Sequence, residues 1–321
     1  TRRSSDLGAG IAAYSANNVI GGTVAADRNL LSGNANGLVI YGASAIGNQV
    51  FGNTIGTDLS GNSAIANTYD GIRIENGATA NVIGGSAAGQ RNVISGNGQD
   101  GVQIDGEASD GNIVRGNWIG VRADGTGVLG NGGDGIFITR GADNLVIGGP
   151  DAADGNWIAG STYVDIEVDG NSSGLLIQHN RLGTDLTGTA NWGPQQNGIR
   201  LENEVSPSSG PNNNRILDNI IAFSGQGGGY YTAGITLYGN GTIANAIQRN
   251  LVYGQAGLAI DLGDDGPTNN DAGDADTGPN NRQNFPVLTS ATTDGTGSMT
   301  IGGTLNSNAN SYFRIELFTS S

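Results

Sequence analysis

The chain has 321 residues, 58 of them glycine, with only 13% charged and 6% aromatic residues and a net charge of −15. That much glycine excludes a helical bundle, because glycine disfavours helix interiors, and the acidic balance argues against nucleic acid and anionic membrane as partners. There is no cysteine, hence no disulfide framework or thiolate metal site, and no apolar run approaches the ~20 residues that a membrane span needs.

In chain order, a weak strand follows Gly8. Gly-hydrophobic-x-hydrophobic strands then begin at Gly37, Gly71, Gly101, Gly135, Gly198, Gly234 and Gly257, with an off-pattern member at Asp165-Ile166-Glu167-Val168. Between them, Asn18-Val19-Ile20-Gly21-Gly22 returns at Asn81–Gly85 and Leu145–Gly149, its isoleucines 63 and 64 residues apart. Asn29-Leu30-Leu31 returns at Asn92, Asn156 and Asn219, and Gly52-Asn53-Thr54-Ile55-Gly56 at Asn117 and Asn180, with the same step. The super-period is therefore two coils of about 30 and 34 residues, one plain and one carrying a four-residue insertion. Each coil holds three short strands separated by Gly/Asn turns. Alternation along a strand places Ile72 and Ile74 inside, Arg73 and Glu75 outside. One coil cannot close a core alone; stacked coils bury a column of Val, Ile and Leu, and asparagines at fixed phase form a ladder that satisfies buried backbone groups. The expected fold is all-β: a right-handed parallel β-helix of about eight coils, a rod on the order of 40 Å long from the strand spacing.

Gly263 to Pro286 breaks the repeat with a run rich in Asp, Asn and Gly. Asp264, Asp265, Asp271, Asp274 and Asp276 are candidate ligands of a structural Ca2+, which takes six to eight oxygens; the alternative is a turn-rich segment whose side chains bond their own backbone. Met299-Thr300-Ile301 and Phe313 to Phe318 then alternate as strands and read as the start of a β-sandwich-like module that stops too early to close. The expected division is 1–262 β-helix, 263–286 cap and 287–321 truncated module. Only seven residues precede the first strand, too few for a capping helix, and open strand edges invite pairing. Two readings follow: trimming from a longer parent, or end-to-end self-association into a filament.

The phrases Asp70-Gly71-Ile72-Arg73-Ile74 and Arg91-Asn92-Val93-Ile94-Ser95-Gly96-Asn97 resemble the parallel β-helix repeats of large bacterial extracellular and cell-surface proteins, over roughly residues 8–288. The resemblance implies a pectate-lyase-like fold and an extracellular or surface location. That architecture serves lyases, epimerases, phage tailspikes and adhesins alike, so function has to come from the site.

The outward columns of the strand that starts each coil read Arg73, Gln103, Phe137, Glu167, Arg200, Thr236, Ala259, and Glu75, Asp105, Thr139, Asp169, Glu202, Tyr238, Asp261. Glu167, Asp169, Arg200 and Glu202 are the catalytic candidates. Carboxylate-held calcium beside an Arg base would resemble a pectate lyase, and Asp169 with Glu202, one coil apart, would form a ~5 Å carboxylate pair suited to a retaining glycosidase. Arg73, Glu75, Asp105, Phe137 and Tyr238 are candidate ligand contacts, with Tyr230 and Tyr231 as further aromatics suited to stacking on sugar rings. The bland alternative is a polar ladder that keeps an open sheet soluble. The insertion loops Gly56–Gly61, Gly120–Gly125 and Gly183–Gly188 repeat a Thr-Asp or equivalent, which points to a turn, since a nucleophile need not recur. There is no lysine, and the one histidine, His179, stands where aligned coils have Gly52 and Gly116. The first reading is a structural or adhesive module; the second a polysaccharide lyase or glycosidase; the third a non-catalytic glycan-binding rod.

Overall fold

The computed structural model describes residues 8–194, 196–203, 206, 208–228 and 232–317. They form a parallel β-helix bounded by three sheets. The first sheet stacks nine strands: Ile11–Ala13, Leu38–Tyr41, Ile72–Glu75, Val102–Asp105, Ile136–Thr139, Ile166–Asp169, Ile199–Glu202, Ile235–Leu237 and Ile260–Leu262. The second runs in eight strands from Val19–Gly21 to Ala246–Gln248, the third in eight from Leu30–Leu31 to Leu251–Tyr253. Among the described residues this makes eight complete coils and one further strand.

Every strand pairs in parallel with the same strand of the next coil, in a register that repeats without slippage: Ile72 with Val102, Val102 with Ile136, Ile136 with Ile166, Ile166 with Ile199. A one-residue slip would turn the aliphatic set outward, so the buried column itself pins the register. That column contains Ile40, Ile74, Ile104, Ile138, Val168, Leu201 and Leu237 from the first sheet, facing Ile83, Ile147 and Ile216 from the second and Ile94, Ile158 and Ile221 from the third; all are fully buried. Each contributes about 1.5–3 kcal/mol of hydrophobic stabilisation.

The polar backbone at the corners is satisfied by asparagine ladders. Before the third sheet, Asn29, Asn53, Asn92, Asn117, Asn156, Asn180 and Asn219 each donate from Nδ2 to Oδ1 of the next, at 2.9–3.1 Å, and the ladder ends on Asn250. The two sequence phrases around Asn29 and Asn53 are thus one column in alternate coils. A second ladder joins Asn18, Asn48, Asn81 and Asn112; Leu145 and Leu175 interrupt it, and it resumes with Asn214 and Asn245. A third joins Asn34, Asn67, Asn97 and Asn131.

Two sequence expectations are corrected here. In the last coil Ile235 pairs with Ile260 and Thr236 with Asp261. Ala259 is therefore not the successor of Thr236, and Asp261 moves to the first outward column, because Ile260 and Leu262 take over the places of Ile235 and Leu237. At the far end, Met299–Thr304 is a strand, but its antiparallel partner is Val287–Thr293, and 311–317 form no strand. The Thr-rich run 287–293 finds a partner through a tight loop, where Asp294 Oδ1 accepts from the Thr296 and Ser298 amides.

The segment 263–286 folds back on the last coils. Asn280 supplies the next rung of the second ladder, its Oδ1 accepting the Asn245 amide at 2.9 Å and its Nδ2 donating to the Asn245 carbonyl at 2.7 Å. No helix among the described residues is long and apolar enough to cross a membrane.

Candidate functional site

The N-terminal half of the first sheet carries a charge network on its outer face. Arg73 pairs with Glu75 at 2.8 Å, Asp105 at 3.0 Å and Asp70 at 3.3 Å, and Arg140 also reaches Asp105 at 2.9 Å. Arg73, Glu75 and Asp105 are thereby brought together, and Arg140 is an added member. Phe137 stands between Gln103 and Glu167 in the same column.

The catalytic candidates lie further along the same face. Glu167 is in register with Arg200, and Asp169 with Glu202, as the coil spacing predicts. Their surroundings are closed rather than open. Arg200 and Glu202 are 4% and 3% exposed. Arg200 pairs with Glu202 at 2.6 Å and, across 64 residues of sequence, with Asp264 at 2.9 Å. Burial works against the Arg200 charge, but Glu202 and Asp264 outweigh it and raise the guanidinium pKa. Tyr238 lies just past its strand with its ring 5.7 Å from the Arg200 guanidinium.

Glu167 sits between Asp134, in the turn before the preceding strand, and Glu202, in the following coil, and hydrogen-bonds with both. Burial, then the Asp134 charge, pushes its carboxyl up to about 10, and burial lifts Asp134 to about 6. At neutral pH this row holds at least one proton, because three adjacent carboxyls with little water cannot all ionise. Asp165, which replaces the glycine of the other coils, is fully buried; burial raises its pKa, and Ser161 Oγ donates to its Oδ1 at 2.8 Å. Neither Asp134 nor Asp165 stands out from the strand columns alone. Tyr230 and Tyr231 lie outside the described residues.

Of the five aspartates proposed for calcium, Asp264 and Asp265 turn to different arginines, while Asp271 and Asp274 both bond Asn284. Asp264 pairs with Arg200 and Asp265 with Arg282 at 2.7 Å. Asp271 accepts the Ala275 amide, and Asp274 takes the Asn284 amide at 2.8 Å and Ser307 Oγ at 2.6 Å. Among the described residues no group of three or more His, Cys, Asp or Glu is placed to hold a metal ion. The described oxygens of these side chains are engaged in ion pairs and in hydrogen bonds that turn the segment on itself. Melting curves in excess calcium and in chelator are expected to coincide within 1–2 °C by calorimetry, where a bound ion at 100-fold excess over its Kd would add about 2.7 kcal/mol.

Sequence reasoning missed the outer face of the third sheet. All three tryptophans of the chain meet there. Trp118 and Trp157 are register partners, 4.9 Å apart edge to face, and Trp157 stacks on Trp192 at 5.5 Å. The insertion loops fold over this sheet: Val121 joins Trp157 in a small second core, and Trp157 Nε1 donates to the Thr184 carbonyl at 2.6 Å. The loop aspartates serve the loops, Asp58 accepting from Ser60 Oγ and the Asn62 amide, Asp185 from Thr187 Oγ1 and the Thr189 and Ala190 amides. Beside the tryptophans lies a cleft of about 380 Å³, lined by Arg91, Trp118, Trp157, His179, Arg181, Leu186 and Asp218 among others. His179 takes a left-handed backbone (φ 57°), as do Gly52 (65°) and Gly116 (63°) at the equivalent turn, and its Nδ1 lies 2.9 Å from the Gly149 carbonyl. The signal was present: Trp118 and Trp157 each directly follow a ladder asparagine.

Compared with known proteins, no family model matches the chain, and no curated protein or solved structure matches it; the parallel β-helix rests on the sheets and register themselves.

Proposed function

We propose that the chain is a structural or adhesive module of the extracellular or cell-surface kind that its repeats resemble: a stiff β-helical rod that spaces or presents its surfaces and does not catalyse. The observation that carries this reading is the closure of the carboxylate row. Arg200 is clamped between Glu202 and Asp264, and Glu167 shares hydrogen bonds with two other carboxyls, so the groups a lyase or glycosidase needs to offer to substrate are engaged with one another. The uninterrupted aliphatic column and ladders add support, since a rod built of nearest-neighbour coils gains rigidity from each one.

A second reading, polysaccharide cleavage, is favoured by one feature: a protonated Glu167 next to a salt-bridged Glu202 is an acid beside a carboxylate, the pairing that glycoside hydrolysis uses. The test is incubation with neutral and acidic polysaccharides, read as new reducing ends and as unsaturated products. The rod reading predicts neither. Turnover that disappears in Glu202→Gln while the variant melts normally would overturn it. Among the described residues no strand pairs with the outer edge of Ile260–Leu262, which motivates end-to-end assembly as a further part of the proposal; electron micrographs of dilute protein are expected to show rods joined lengthwise, and single rods at every concentration would remove that part.

A further inference from the structure

We propose that the cleft over the third sheet is a binding site for an anionic polysaccharide, whose carboxylate or sulfate groups are taken by Arg91 and Arg181 beside the tryptophans. This names the ligand class of the adhesive reading and rests on it.

The first observation is an uncompensated cation. The Arg91 guanidinium lies 4.1 Å over the Trp118 ring. It makes no ion pair or hydrogen bond with any described residue, and its Nε is buried without a partner. Burial works against its charge, and no neighbouring carboxylate opposes that. A buried donor with no acceptor is rare in folded proteins, and it is costly unless something fills the place. An arginine stacked on an aromatic ring is held in one orientation, ready for a planar, two-pronged acceptor such as a carboxylate or sulfate.

The second observation is charge. In a chain of net charge −15, this cleft gathers Arg91 and Arg181. Its one carboxylate, Asp218, is already held by Arg249 at 2.6 and 2.7 Å and by Gln178 at 3.0 Å. Arg181 has one bond, from Nη1 to the Asp185 carbonyl at 3.2 Å, which leaves other donors of its fork for a ligand. The cleft thus offers a positive, aromatic-floored strip on an otherwise acidic rod, and anionic chains would be repelled elsewhere and retained there.

The third observation is shape. Trp118, Trp157, Arg181 and Ile220 occupy successive rungs of one column, so the floor runs along the rod axis with a repeat of ~4.8 Å. The segments at Gly85–Arg91 and Ala152–Gly155 wall one side, and Leu186 of the third insertion loop lines the cleft as well. A volume of about 380 Å³ falls within the range of ligand sites; Trp157 is buried under Trp192 and the Trp118 ring carries Arg91 on one face, so the sugar chain would be held through its acidic groups and hydroxyls rather than by ring stacking on Trp157.

Because every tryptophan of the chain belongs to this cluster, tryptophan fluorescence excited beyond the tyrosine absorption band reports on it alone. The whole protein is titrated with polyuronate, sulfated and neutral glycan chains of matched length, and with single-stranded DNA. Saturable fluorescence change is expected with the uronate or the sulfated chain, and the stronger of the two identifies the acidic group. Affinity is expected to fall at least tenfold in Arg91→Gln, to fall similarly in Arg181→Gln, and to weaken with added salt. Neither substitution removes a buried internal ion pair, so melting temperatures should stay near wild type; should one variant melt early, the other carries the test. Absence of any fluorescence change, equal binding of the neutral chain or of DNA, or unchanged affinity in both variants overturns the proposal. Cleavage of a bound chain would instead refute the non-catalytic reading and leave this site standing.

Discussion

Asn156→Ala is expected to lower the unfolding free energy by about 3–5 kcal/mol, read from the shift in denaturant midpoint. Asn156 is buried in mid-ladder. Its Nδ2 donates to the Val114 carbonyl at 2.8 Å and to Asn180 Oδ1 at 2.9 Å, and its Oδ1 accepts from the backbone and side-chain amides of Asn117 at 3.1 and 3.0 Å. Truncation strands groups in the coils on both sides, Val114 and Asn117 in one and Asn180 in the other, and each buried group without a partner costs ~1–3 kcal/mol. The same change at Asn18, whose contacts are partly exposed and which ends its ladder, is expected to cost about 1 kcal/mol. A cost at Asn156 no larger than at Asn18 would show that the ladder is decoration. The protein itself shows how a ladder ends without penalty: before Leu145, Asn112 Nδ2 turns to the Ser109 carbonyl at 2.8 Å, so no donor is left over.

The second large effect is on pH. Asp100, Asp134 and Glu167 are raised, to about 7, 6 and 10, and Asp70 and Asp165 are raised as well, in each case chiefly by burial. A raised carboxyl binds its proton more tightly in the folded than in the unfolded chain. Its contribution is complete below the unfolded pKa near 4 and is lost as pH rises through the folded value. Stability should therefore be greatest on the acid side and fall between pH 4 and pH 7, with Glu167 extending the decline above neutrality. Asp100 alone, moved from 3.8 to about 7, corresponds to roughly 4 kcal/mol. The lowered groups act in the opposite sense, Asp218 held down by Arg249 and Asp58, Asp124, Asp185 and Asp294 by hydrogen bonds of their own turns, but they lie at or near the surface and their effect is small. Calorimetry at pH 4.5, 6 and 8 is expected to show a falling melting temperature. Asp100→Asn keeps an oxygen for the Asp134 amide, now bonded to Oδ1 at 2.8 Å, and removes the titration. It should stabilise the protein by about 2 kcal/mol or more at pH 8 and leave pH 4.5 nearly unchanged. A melting temperature that climbs from pH 4.5 to 8 would contradict this.

The fold was legible because in a solenoid the same chemical requirement recurs at the same phase. Gly71, Gly101 and Gly135 open successive strands, and Ile72, Val102 and Ile136 fill the column beneath. The third-sheet ladder was legible only in halves. The insertion loops make its asparagines alternate between 24 or 25 and 39 residues apart, so neighbours in space read as two unrelated phrases. Reading them as one column would have placed Trp118 over Trp157. Register failed at the last coil because Leu258, Ile260 and Leu262 offer two alternations equally well, and contact with Ile235 and Leu237 decides between them. The outward pairs Glu167–Arg200 and Asp169–Glu202 followed from spacing. Their closure did not, because Asp264 comes from the non-repeating segment and Asp134 from a turn. Arg91 was quoted for its repeat phrase alone; that its charge lacks a partner is a property of packing.

The claim beneath all of this is that like positions of successive coils lie directly over one another. A chain without cysteine allows a direct test by paired substitution. Gln103→Cys with Phe137→Cys places the thiols on Cα partners in adjacent strands, within the ~4.4–6.8 Å that a disulfide spans. Gln103→Cys with Thr139→Cys places them two residues out of register, at ~7–8 Å. Under mild oxidation the first pair is expected to close nearly completely and the second hardly at all; equal closure of both pairs, or closure of the second alone, would contradict the stacking.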